Sequence, residues 1–113
     1  MQTDSEELLH RGVDVAATTW AGLCEELGWD HATPQLACTH QVGVAHRKLL
    51  VERLGLEVPQ IPSSFEYLGN CGSASLPATA SIAVQQTPPA KGDNVAFLGI
   101  GSGINCLMLG IEW

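Results

Sequence analysis

Apolar residues recur at helical intervals from the start of the chain. Leu8, Leu9, Val13, Ala16, Ala17, Trp20, Leu23, Cys24 and Leu27 lie one, three or four apart and form a single stripe. Thr3 and Asp4, followed three residues later by Glu6 and Glu7, offer capping-box starts near that end. Gly28 offers a left-handed stop. The pattern changes after Pro34. Leu36 to Thr39 is apolar at successive positions but too short for a helix, so it predicts a buried strand. A second helix is predicted from Gly43 to Leu54, with Val44, Leu50, Val51 and Leu54 inward and Gly55 ending it.

Val58 to Pro62 carries two prolines and can form only an edge-like strand or an extended link. A third helix is predicted from Ser73 to Gln86, with small residues in its first turn and Pro77 in or near that turn, where a missing N–H costs little. Thr87 to Asp93 reads as a loop. Asn94 to Ile100 and Ile104 to Trp113 read as two strands joined by a glycine-rich turn. The order helix, strand, helix, strand, helix, strand, strand is an α/β pattern, and its closing hairpin makes the sheet mixed. The chain opens directly in a helix and predicts few strands for a self-contained α/β domain. It reads as a piece that completes itself against other protein.

Composition sharpens that picture. A chain of 113 residues is one domain at most, long enough for one core. Hydrophobic residues make up 45%, and the excess fits apolar faces meant for a protein partner. A net charge of −7 excludes a nucleic-acid surface, which needs many cations to neutralise phosphates. Arg47, Lys48 and Arg53 form the one basic cluster and read as a solvated helix face. No apolar run approaches the roughly 20 residues of a membrane span, and the acidic start lacks a signal-peptide pattern, so a cytoplasmic setting is expected. Four cysteines at wide spacings fit reduced, buried thiols. His40 and His46 stand near zinc-finger spacing, but no cysteine pair accompanies them, and no metal or other resident cofactor is expected.

Three motifs carry candidate chemistry. The first, Leu36-Ala37-Cys38-Thr39-His40-Gln41, puts a histidine at the carboxyl end of a strand, where open α/β sheets place ligand-binding groups. Read alone, such a histidine is more often a structural or surface residue. The second, Tyr67-Leu68-Gly69-Asn70-Cys71-Gly72-Ser73, sets an asparagine between glycines; alone it reads as a turn, since asparagine tolerates left-handed backbone. The third, Gly99-Ile100-Gly101-Ser102-Gly103-Ile104-Asn105-Cys106, lacks dinucleotide-loop spacing and precedes a strand, so alone it is a hairpin turn.

Together, in this order, with thirty residues from His40 to Asn70 and a terminal strand ending in Trp113, the motifs resemble the C-terminal half of ketoacyl synthase III-like condensing enzymes of the thiolase superfamily. The Leu-Gly-Asn segment and the Gly-Ile-Gly-Ser-Gly turn are most similar to the branch that joins two fatty acyl-CoAs head to head in long-chain olefin biosynthesis. The resemblance covers essentially residues 1–113, as one thiolase-like C-terminal domain: a mixed sheet flanked by helices and ending in a β-hairpin.

What the resemblance implies is an acyltransferase that forms a carbon–carbon bond by Claisen condensation. His40 and Asn70 would complete a Cys-His-Asn triad, and the backbone N–H at Ser102 would serve the oxyanion hole of an acyl-cysteine. The family's cysteine lies in its N-terminal half. Cys38 and Cys71 do not match it and read as small core residues. The chain alone is therefore expected to be silent. Its partners would be a complementary N-terminal half or a full-length synthase chain in a homo- or hetero-oligomer, with acyl-CoA or acyl carrier protein thioesters as substrates. The other reading is a non-catalytic thiolase-fold partner or scaffold of an intact synthase.

Overall fold

The computed structural model describes residues 2–41, 43–68, 74–101 and 105–113, with backbone alone for residues 2–6, 8, 9, 65, 67 and 101. Helix α1 spans Gln2–Leu27, strand β1 Leu36–Thr39, helix α2 Val44–Leu54, a four-residue helix α3 Phe65–Leu68, helix α4 Ser75–Gln86, and strands β2 Asn94–Gly101 and β3 Asn105–Glu112. Among the described residues no helix is long and apolar enough to cross a membrane.

The three strands form one sheet in the order β1-β2-β3. β1 runs parallel to β2, with Thr39 opposite Leu98, and β2 and β3 form an antiparallel hairpin from Asn94↔Glu112 to Gly101↔Asn105. The sheet is mixed, as the hairpin at the end of the sequence requires. Leu36 to Thr39 is buried at every position, which is why the segment reads as an unbroken apolar run.

Alternation along the strands sorts the core into two layers. On one face Ala37, Ala96, Leu98 and Met108 pack under Val13, Ala16, Trp20 and Cys24 of α1 and Leu50 and Leu54 of α2. On the other, Leu36, Cys38 and Val95, with partly buried Phe97, pack against Leu76, Ala80 and Ala83 of α4. Buried Trp20 keeps its polar edge satisfied by donating from Nε1 to His31 Nδ1 at 3.0 Å. Helix α4 reaches β1 and β2 but leaves β3 open. Leu107, Leu109 and Ile111 alternate along that strand and stay 72, 53 and 38% exposed.

Several local expectations need correction. Helix α1 already runs from Gln2, so Thr3 and Asp4 lie within it rather than capping it. Gly28 and Gly55 do stop their helices at φ 69 and 65°, a region that favours glycine. Val58 to Pro62 contributes no strand. Its pairing is a single bridge from Leu36 to Gln60, because proline at 59 and 62 removes the donors a ladder needs. Helix α3 was not anticipated. On α2 the inward stripe is His46, Leu50 and Leu54, four apart, while Val44 is 72% exposed and Val51 only partly buried.

Candidate functional site

His40 is the first residue beyond β1. Its backbone N–H donates to Leu98 O at 3.2 Å, so the parallel pairing continues one step past the strand and fixes where the imidazole starts. β2 continues past Leu98 to Gly101, so the hairpin end lies at the same end of the sheet as His40. The start of α4 comes to this end too: a Cβ at Gly99 would stand 3.9 Å from Leu76 Cδ1. The end of β1, the described part of the third motif and the start of α4, which follows the second motif, therefore come together there. Asn70 and Ser102, and with them Cys71, lie outside the described residues.

The His40 ring is half-buried and meets the His46 ring edge-on, with centroids 5.8 Å apart and an interplanar angle of 87°. Burial pushes the His40 imidazole below its ordinary pKa. His46 is lowered as well, by burial first and by the neighbouring His40 second. His46 stands in the first turn of α2, whose positive end also opposes a proton on the ring. Among the described residues its buried Nδ1 has no hydrogen-bond partner. A neutral imidazole carries one N–H donor and one acceptor, which suits His40 to hydrogen-bond a developing oxyanion.

Gln41, next in sequence, is buried and spends both ends of its amide. Nε2 donates to Thr39 O at 3.0 Å, and Oε1 accepts from Ser64 N at 2.9 Å. Ser64 Oγ lies 2.6 Å from Thr79 Oγ1, and Thr79 Oγ1 donates to Ser75 O at 2.7 Å. Since a hydroxyl has one proton, Ser64 is the donor in its pair with Thr79. Neither His46 nor this polar chain was assigned a role from sequence. The four-residue spacing of His46, Leu50 and Leu54 was the available signal for the first, and nothing local marked the second.

Among the described residues no cysteine carries the lowered pKa of a nucleophile. Burial pushes the Cys38 thiol up to about 11 and also raises those of Cys24 and Cys106. Reactive cysteines have the opposite shift. The basic cluster is not one solvated face. Arg47 Nη2 donates to Ile61 O at 2.6 Å, and Arg53 pairs with Asp14 at 3.2 Å, which ties α2 to α1. A cleft of about 450 Å³ lies along α2, lined by Val44, Arg47, Lys48, Val51, Glu52, Ser63 and Glu66 and not by His40. Among the described residues no three His, Cys, Asp or Glu side chains gather to hold a metal ion.

Comparison with known proteins places this arrangement. The chain is 41% identical over its full length to the acyl-CoA:acyl-CoA alkyltransferase of Shewanella oneidensis, covering 32% of that protein. It is 34% identical to the Xanthomonas campestris enzyme of the same name, again over the whole chain and 33% of the relative. The chain thus spans about a third of the length of these curated relatives. Among solved structures, a variant of Xanthomonas campestris OleA with bound lauric acid and lauroyl-CoA superposes with a TM-score of 0.91 at 34% identity, over 97% of this chain and 33% of that one. The fold is therefore thiolase-like. Residues 24–113 match the family described as 3-oxoacyl-[acyl-carrier-protein] synthase III, C terminal, and the chain belongs to that family.

Proposed function

We propose that residues 1–113 act as the C-terminal catalytic part of a condensing enzyme that joins two acyl-CoA thioesters. In this reading, His40 and Asn70 donate the hydrogen bonds that stabilise the second thioester's enolate. A complementary N-terminal part supplies the cysteine. Its thiolate attacks the first thioester, coenzyme A leaves, and the acyl group stays on sulfur. A base then removes the α-proton of the second acyl-CoA, and charge moves to its thioester oxygen. The carbanion attacks the acyl-cysteine carbonyl, the cysteine thiolate leaves, and a 2-alkyl-3-oxoacyl-CoA results. The backbone N–H of Ser102 serves the oxyanion at the acyl-cysteine carbonyl. The thioesters bring the chemistry with them, and no resident cofactor takes part.

The observation that carries this reading is His40 itself. A half-buried imidazole, lowered in pKa by burial, stands at the sheet end shared by β1, the hairpin and the start of α4. A neutral donor aimed at developing charge stabilises it without reorganisation, which is the strongest single device in acyl-transfer catalysis. The uncovered apolar strand β3 supports a complementary part, as does the raised thiol of Cys38.

The test is a hybrid in which this chain replaces the final third of the Shewanella oneidensis relative, assayed with lauroyl-CoA. The hybrid is expected to release coenzyme A and form the condensed product, while the isolated chain does neither. A folded hybrid that takes up one acyl group and never condenses would contradict the proposal. So would stoichiometric, hydroxylamine-sensitive acylation of Cys38 in the isolated chain.

A further inference from the structure

We infer that Gln41 is a positioning residue, whose amide ties the strand carrying His40 to both ends of the segment carrying Asn70. This rests on the reading of His40 and Asn70 as a donor pair. Ser64 precedes Asn70 by six residues and Ser75 follows it by five. Gln41 grips the first end directly through Ser64 N, and the path Ser64 Oγ to Thr79 Oγ1 to Ser75 O reaches the second. Its other end is fixed to Thr39 O, one residue before His40. These hydrogen bonds therefore link the residue before His40 to residues on either side of the second motif.

Burial makes this path restrictive. Gln41, Ser64, Ser75 and Thr79 are each no more than 2% exposed. A buried amide or hydroxyl left unpaired is costly, so the set favours the one spacing at which every bond is made. Apolar residues of similar volume would fill the space equally well but would fix no single spacing between β1 and the segment that follows Ser64. Two donors must meet one oxygen to within a fraction of an ångström, and a displacement of about 1 Å can cost about 10²-fold in rate. A side chain with a donor at one end and an acceptor at the other, immediately after the catalytic histidine, meets that requirement.

The two halves of the amide separate in Gln41→Glu. An ionised carboxylate still accepts from Ser64 N but faces Thr39 O with no proton. A protonated carboxyl again donates to Thr39 O while accepting from Ser64. Gln41→Met keeps the volume and loses both bonds at every pH. In the hybrid with lauroyl-CoA, Gln41→Met should slow condensation about 10–100-fold, with acylation of the cysteine within about twofold of the unmodified hybrid. Gln41→Glu should match that loss at pH 8 and recover toward pH 6. Each rate is taken as a ratio to the unmodified hybrid, which removes the titration of His40, His46 and Glu66 that both share. A merely structural role would lower both half-reactions together, without recovery in acid. If Gln41→Met condenses within about twofold of the unmodified hybrid, Gln41 does not position the pair. If the unmodified hybrid does not condense, the reading of His40 and Asn70 fails, and the 113-residue chain still decides the path by amide exchange. The Ser64 amide should exchange at least about tenfold faster in Gln41→Met than in the unmodified chain, and equal rates would overturn the proposal.

Discussion

Replacing Leu107 and Leu109 with threonine tests whether the open face of β3 is the surface that receives the complementary N-terminal part. The two side chains are 72 and 53% exposed, so together they leave somewhat more than one leucine's worth of apolar surface uncovered. Fully burying a leucine is worth about 1.5–3 kcal/mol, so covering this patch is worth about 2–4 kcal/mol to an assembled enzyme. Threonine, β-branched where leucine is not, suits a strand while removing most of that gain. The separately expressed N-terminal two-thirds of the Shewanella oneidensis relative can be titrated with the chain by calorimetry. The Leu107→Thr, Leu109→Thr chain is expected to bind about 30–1,000-fold more weakly, while its own urea midpoint stays nearly unchanged. Unaltered affinity would refute the argument. So would a large loss of intrinsic stability, which would mean the face is already covered within the chain.

Three further outcomes follow from packing and protonation. Leu50 is fully buried in the core cluster that α2 shares with α1, so Leu50→Ala should lower unfolding free energy by about 2–5 kcal/mol in urea titrations; a change under about 1 kcal/mol would contradict the packing described. His40 and His46 have lowered pKa values in the folded state, so the unfolded chain takes up their protons first as pH falls. Their contribution is constant above the ordinary imidazole range, declines below about pH 6.5 and levels off beneath the folded values. The urea midpoint should therefore drop between pH 7.5 and 5.5, and less so in His46→Phe; a rise on acidification would reverse the sign of the reasoning. Cys38, with its thiol near 11 and its side chain enclosed, should resist iodoacetamide at pH 8 in the native chain and react in urea, as followed by intact mass.

Much of the fold was legible because its signals are local. Gly28 and Gly55 occupy left-handed backbone, and the strand Leu36–Thr39 is enclosed on both faces, so both features stand out in one dimension. The closing hairpin was legible for the same reason: two strand-like runs flank a glycine-rich turn. What escaped depends on partners distant in sequence. Val44 is as apolar as Leu50, and only the position of α1 decides that the stripe through His46 faces inward. Arg47 looks solvated until Ile61 O, fourteen residues away, comes within reach. Helix α3 has four residues, too few to show a period. At the candidate site, the place of His40 after a buried strand was legible, while the role proposed for it came from the resemblance. The role inferred for Gln41 was not legible, because it depends on bonds to Ser64 and, through it, Thr79 that no spacing rule encodes.

The central claim is that His40 acts on the enolate of the second thioester rather than on the nucleophilic cysteine. His40→Ala in the hybrid, followed in parallel by intact mass for acylation and by product formation for condensation, tests it most directly. Loss of one oxyanion donor typically costs about 10²–10³ in rate. That loss is expected in condensation, with lauroyl-CoA still acylating the cysteine at close to the unmodified rate. Equal loss of both half-reactions, or no loss of either, would contradict the claim.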